Sequence, residues 1–136
     1  MYTTSSTSLI NDWGGWLQAQ IWDYFSTYTF RYDISMKRSE QHMLRVESLM
    51  EQEQIAHTLF WVAESPHNSQ QSHLHMLVQG EEAKSYIFQY YQGKGLINPR
   101  NVLNEDYDPT LGASFYVSKS LNDLNAAYGM SHYANP

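Results

Sequence analysis

Cysteine is absent, so neither a disulfide framework nor a thiolate metal site can form. Proline is scarce, with 4 residues, and the 7 glycines are scattered, so no Pro/Gly-rich linker divides the chain. With no repeat and no low-complexity tract either, residues 1–136 read as one domain, long enough to bury a core. Charge is sparse and unbalanced: Lys and Arg together number 8 against 14 Asp and Glu, giving a net charge of -6. That balance argues against non-specific coating of nucleic acid, because neutralising phosphates needs a basic surface. It leaves room for local contacts by a few basic groups beside a bound cation. Long hydrophobic runs are missing too, and none approaches a membrane span. Met1 to Ser8 is polar and uncharged, unlike a signal peptide. The expectation is a soluble, cytoplasmic protein with no membrane partner.

What the chain has in quantity is aromatic side chains: 11 Tyr, 4 Trp and 5 Phe. Most serve ordinary packing, although unpaired bases also stack on such rings. Ile10, Trp13, Leu17, Ile21 and Tyr24 form a helical stripe from Leu9 to about Phe25. Tyr28-Thr29-Phe30-Arg31-Tyr32 reads as a strand. Ser39 offers an N-cap for a helix to about Gln54. His57 to Glu64 and His73 to Val78 read as strands, joined by a polar stretch from Ser65 to Ser72. A helix follows from Glu81 to Gln92, then a strand from Leu96 to Leu103. Asp108-Pro109 opens a final helix predicted to reach Tyr128 before Gly129. The expected class is α+β: a ferredoxin-like β-α-β-β-α-β antiparallel sheet with helices on one face, plus an N-terminal helix and a C-terminal tyrosine-bearing helix.

His73-Leu74-His75 is the sharpest chemical feature. Residues two apart on a strand share a face, so both imidazoles point one way while Leu74, Met76 and Val78 point to the other. Two imidazoles on a rigid strand make a metal site that lacks a third ligand. Antiparallel pairing can place Glu64 opposite His73 or His75, on the same face. Two imidazoles and a carboxylate suit Mn²⁺ or Mg²⁺, with imidazole leaning the choice toward Mn²⁺. Two solvent-facing histidines on an open sheet would produce the same sequence.

Tyr116-Val117-Ser118-Lys119 is the second feature. Three apart on a helix, Tyr116 and Lys119 are neighbours on a polar face that also carries Ser120 and Asp123. A phenol is a poor nucleophile at neutral pH unless assisted, and an ammonium can assist it. An ordinary surface tyrosine beside a surface lysine is the commoner arrangement. Asp123 suits a solvated partner for Lys119 better than a metal ligand. His42, His57 and His132 have no partner at metal-ligand spacing, and His67 lies in the polar connection.

Taken in order, Tyr28-Thr29-Phe30-Arg31, His73-Leu74-His75 and Tyr116-Val117-Ser118-Lys119 resemble the three motifs of the HUH endonuclease superfamily, over about residues 24 to 125. The resemblance is to small single-tyrosine initiators of rolling-circle replication. It implies that His73, His75 and Glu64 hold a divalent ion and that Tyr116 attacks a phosphate of single-stranded DNA, with Lys119 assisting. The product would be a 5′-phosphotyrosine link and a free 3′-hydroxyl. Gly112 and Ser120 stand where some relatives carry a second tyrosine, and no phosphate-binding GxxxxGK[ST] loop is present. A separate helicase and host replication proteins are therefore the implied partners, and the resemblance allows a homodimer. Arg31, Lys84, Lys94 and Arg100 are the candidate phosphate contacts. A single-tyrosine transposase of the same superfamily and a non-catalytic single-stranded nucleic-acid-binding module are the rival readings.

Overall fold

The computed structural model describes residues 2–3, 16–17, 19–64, 72–113, 116 and 126–134. Its elements run β1 (Tyr2–Thr3), β2 (Tyr24–Phe30), α1 (Met36–Gln52), β3 (His57–Glu64), β4 (His73–Gln79), α2 (Glu81–Gly93), β5 (Ile97–Asp106) and β6 (Ala126–Tyr133). The class is α+β. Every strand pairs antiparallel, in the order β1-β6-β3-β4-β2-β5, so β3, β4 and β2 occupy the middle of the sheet.

The two described helices lie on one face. Met43, Val46 and Met50 of α1 and Ala83, Ile87 and Tyr91 of α2 pack on Tyr28, Leu59, Trp61, Ala63, Leu74, Met76 and Val78. Those residues alternate along their strands, and the helical residues recur at three- and four-residue intervals, so both periods meet in one core. The opposite face carries a second cluster. There Leu17, Trp22, Ala113 and Tyr116 pack on Phe25, Phe60, Val62, Leu77, Ala126 and Tyr128. Covered on both sides, β3 is buried at all eight positions.

Several boundaries depart from the sequence-based expectations. Of the N-terminal helix, residues 16, 17 and 19 are helical, but Tyr24 and Phe25 already belong to β2. Ile21, part of the expected helical stripe, is 75% exposed; it lies beyond the helical residues, where the Trp22 indole N–H donates to the Leu17 carbonyl at 2.9 Å. The first long helix is capped by Ser35, whose hydroxyl accepts from the Arg38 amide at 3.2 Å, whereas Ser39 is buried within it.

The larger correction concerns the end of the chain. Asp108 caps only a turn, its carboxylate accepting from the amide and hydroxyl of Thr110 at 2.9 and 2.7 Å. Gly112 follows at φ 80, a left-handed backbone that ends that turn. Ala113 and Tyr116 are helical, but Tyr128, given to the same helix, lies in β6. Eight consecutive residue pairs between β3 and β6 hold Ala126–Tyr133 extended. Tertiary pairing has overridden the local spacing there.

Candidate metal centre

The strand register assembles the candidate site. On β4, His73 and His75 stand on the face away from the helices, while Leu74 and Met76 are buried in the helical core. Their rings are stacked, with centroids 6.0 Å apart and planes 16° from parallel. Across the β3–β4 ladder Glu64 is paired with His73, and Val62 with His75. The Glu64 Oε1 lies 3.7 Å from Nε2 of His75, with the two side chains 7% and 12% exposed.

Across the other ladder, Thr29 is paired with His73 and Thr27 with His75. Each threonine hydroxyl lies 3.2 Å from Nδ1 of its histidine. Each imidazole therefore has Nδ1 engaged by a neighbouring strand, and Nε2 of His75 lies on the Glu64 side. Thr29 belongs to the Tyr28-Thr29-Phe30-Arg31 motif, but neither threonine has a role in the sequence-based expectations, although a signal was present. A Thr-x-Thr on one strand matches a His-x-His on the next in period and in face.

Burial holds His75 neutral, pushing its pKa down to about 4, with the nearby His73 acting in the same direction. Burial also lowers that of His73. Neutral imidazoles keep the lone pair that metal ligation requires. Ligands at right angles around an ion with bonds of about 2.1 Å stand roughly 3 Å apart, so the 3.7 Å contact is somewhat open for a shared ion. Among the described residues, no three carboxylate or imidazole groups already converge on one point. The donor set, two neutral imidazoles and a buried carboxylate, fits a divalent ion in its chemistry.

Tyr116 is on the same face. Its ring packs against Phe25 at 5.0 Å and Tyr107 at 4.9 Å, and Phe25 in turn stacks on His75 at 6.1 Å. Tyr116 and His75 together line a hollow closed by Phe25, Phe60, Val62 and Leu77, packed too tightly to hold water. The hydroxyl accepts a hydrogen bond from the Asp108 amide at 2.9 Å, and the residue is 3% exposed. Lys119, Ser120, Asp123 and His67 lie outside the described residues.

The basic candidates are not gathered at this face. Lys84 projects from α2 over the Tyr24 ring at 4.1 Å and pairs with Glu81 at 3.2 Å, on the helical side of the sheet. Lys94 follows α2, its ammonium 5.7 Å from the Tyr90 ring. Arg100 is exposed on the β5 strand. Arg31 alone adjoins the histidine ladder along the chain, two residues beyond Thr29 and exposed, its guanidinium 5.7 Å from the Tyr32 ring.

The other described histidines have other partners. His42 meets the Tyr90 hydroxyl at 2.8 Å, His57 the Ser131 hydroxyl at 2.8 Å, and His132 the Thr58 hydroxyl at 2.9 Å. Among the described residues, no helix is long and apolar enough to cross a membrane. No family model, curated protein or solved structure matches the chain.

Proposed function

We propose that the chain is a metal-dependent enzyme that nicks and rejoins single-stranded DNA, as the resemblance to small HUH replication initiators implies. One observation carries the proposal: His73, His75 and Glu64 share one sheet face, with Tyr116 packed beside His75 through Phe25. The succession β-α-β-β-α-β, with β3, β4, β2 and β5 side by side, supports a ferredoxin-like unit beneath that face.

In this scheme His73, His75 and Glu64 hold Mn²⁺ or Mg²⁺, which when bound polarises the scissile phosphate. The Tyr116 oxygen attacks phosphorus and gives up its phenolic proton. A phosphorus–oxygen bond forms to tyrosine, the bond to the 3′ oxygen breaks, and that oxygen takes up a proton. The strand then carries a 5′-phosphotyrosine and a free 3′-hydroxyl able to prime synthesis. A later 3′-hydroxyl attacks the tyrosyl phosphate and gives up its proton, the phosphorus–oxygen bond to Tyr116 breaks, and the phenol regains a proton; DNA is rejoined and no nucleotide cofactor is consumed. Before attack, the Tyr116 hydroxyl must exchange its bond from the Asp108 amide for the phosphate. Lys119 assists this step, and Arg31 is the favoured phosphate contact. Unwinding of a plasmid or viral origin falls to a separate helicase.

The test is incubation with labelled single-stranded DNA of mixed sequence plus Mn²⁺, followed by denaturing electrophoresis. A protein–DNA adduct that disappears in Tyr116→Phe supports the chemistry. Retention of the full adduct in that variant removes Tyr116 as the nucleophile. Absence of both adduct and Mn²⁺ binding favours a non-catalytic module.

A further inference from the structure

Thr27 and Thr29 have no role in the reaction just described, yet they stand in register with the two histidines it uses. An imidazole carries its single neutral-state proton on Nδ1 or on Nε2; a hydroxyl can accept from the first form or donate to the second, so what faces the other nitrogen decides between them. On the β3 side, Glu64 Oε1 is 3.7 Å from His75 Nε2, beyond a hydrogen bond, so it does not hold a proton there. On the β2 side both Nδ1 atoms lie 3.2 Å from threonine oxygens, a usable hydrogen-bond distance. β2 lies between β4 and β5; Thr27 is paired along both edges, whereas Thr29 is paired with β4 and sits where the β2–β5 register shifts.

We propose that Thr27 and Thr29 are positioning residues that accept hydrogen bonds from Nδ1–H of His75 and His73, leaving both Nε2 lone pairs open toward Glu64. Metal-ligating histidines commonly have their second nitrogen fixed in this way by an outer partner. Here two alternate threonines set two alternate imidazoles at once, because both strands repeat every second residue. The occupant of the Nε2 side rests on the metal reading above; the tautomer does not.

The experiment uses the metal-free protein at about pH 8, with ¹⁵N-labelled histidines, and reads the proton position from long-range ¹H–¹⁵N correlations. His73 and His75 are expected as Nδ1–H tautomers. Thr27→Val should release His75 alone and Thr29→Val His73 alone, while the matching serine variants keep the wild-type pattern. Valine matches threonine in shape, so a merely structural role would leave the tautomers unmoved. In a parallel titration, each valine variant should bind Mn²⁺ about 10- to 100-fold more weakly, with serine restoring the affinity. Nε2–H tautomers in the wild-type protein would overturn the inference, as would valine variants with unaltered spectra. A wild-type protein with Nδ1–H tautomers but no Mn²⁺ binding would sink the metal reading and leave the threonine assignment standing.

Discussion

Gly129 sits directly across the β3–β6 ladder from Trp61, and a methyl group at Gly129 would come within 2.6 Å of the indole ring. Trp61 is 2% exposed, and its ring is rigid, so it cannot yield as the tip of a flexible chain would. Gly129→Ala should therefore destabilise the fold by about 1–3 kcal/mol, the range for overpacked cores. Urea unfolding checks this; an unchanged midpoint would mean that the ring has room to move.

The same glycine explains part of what the sequence concealed. At the end of a helical spacing that runs to Tyr128, Gly129 has the look of a helix C-cap. Its absent side chain instead accommodates Trp61 across a strand pair, a long-range requirement that local spacing does not carry. By contrast, the His-x-His alternation and the apolar residues between were legible, because period-two patterning is local. The β3–β4 hairpin was legible to the element, although only the register decided that Glu64 is paired with His73 while its carboxylate reaches toward His75. The Ser35 cap could not be separated from Ser39 by spacing, since either serine precedes a helical stripe. Thr27 and Thr29 acquire meaning only when β2 is known to lie beside β4.

Glu47 on α1 is a second consequence of packing. Burial pushes its carboxyl up to about 7, with the nearby polar groups of Ser131 and Trp61 acting in the opposite direction. Between the ordinary carboxylate range and about 7, the folded state holds a proton that the unfolded state has lost. This group's contribution therefore makes stability fall as pH rises through that window and level off above it. Glu47→Gln should flatten this slope and raise stability relative to wild type above pH 7. Chemical denaturation at a series of pH values would reveal it; parallel curves for the two proteins would exclude Glu47 as the source.

The proposed ligands make a separable pair of predictions. His75→Ala removes an imidazole from the shared face and should weaken Mn²⁺ binding and DNA cleavage together. Glu64→Gln keeps the side-chain shape but removes the carboxylate charge, and should weaken Mn²⁺ binding in the same direction. Calorimetric titration provides the check. Because an ion bound only to the folded state raises apparent stability, the wild type should also show a Mn²⁺-dependent rise in Tm that both variants lose in part. Unchanged affinity in His75→Ala would remove that residue from the site.

Tyr116→Phe separates chemistry from architecture. The substitution keeps the ring contacts to Phe25 and Tyr107 but deletes the oxygen that accepts from the Asp108 amide. Losing one such bond should cost about 0.5–1.5 kcal/mol, a modest fall measurable in urea. Mn²⁺ affinity should stay at the wild-type value, since the ring is not a ligand and Phe25 lies between it and His75. Covalent capture of DNA should vanish altogether, because no other atom of the side chain can form the phosphoryl bond. A variant that kept its adduct would assign the nucleophile elsewhere. One that lost metal affinity as well would show instead that Tyr116 buttresses the histidine face, with its hydroxyl part of the packing rather than of the reaction.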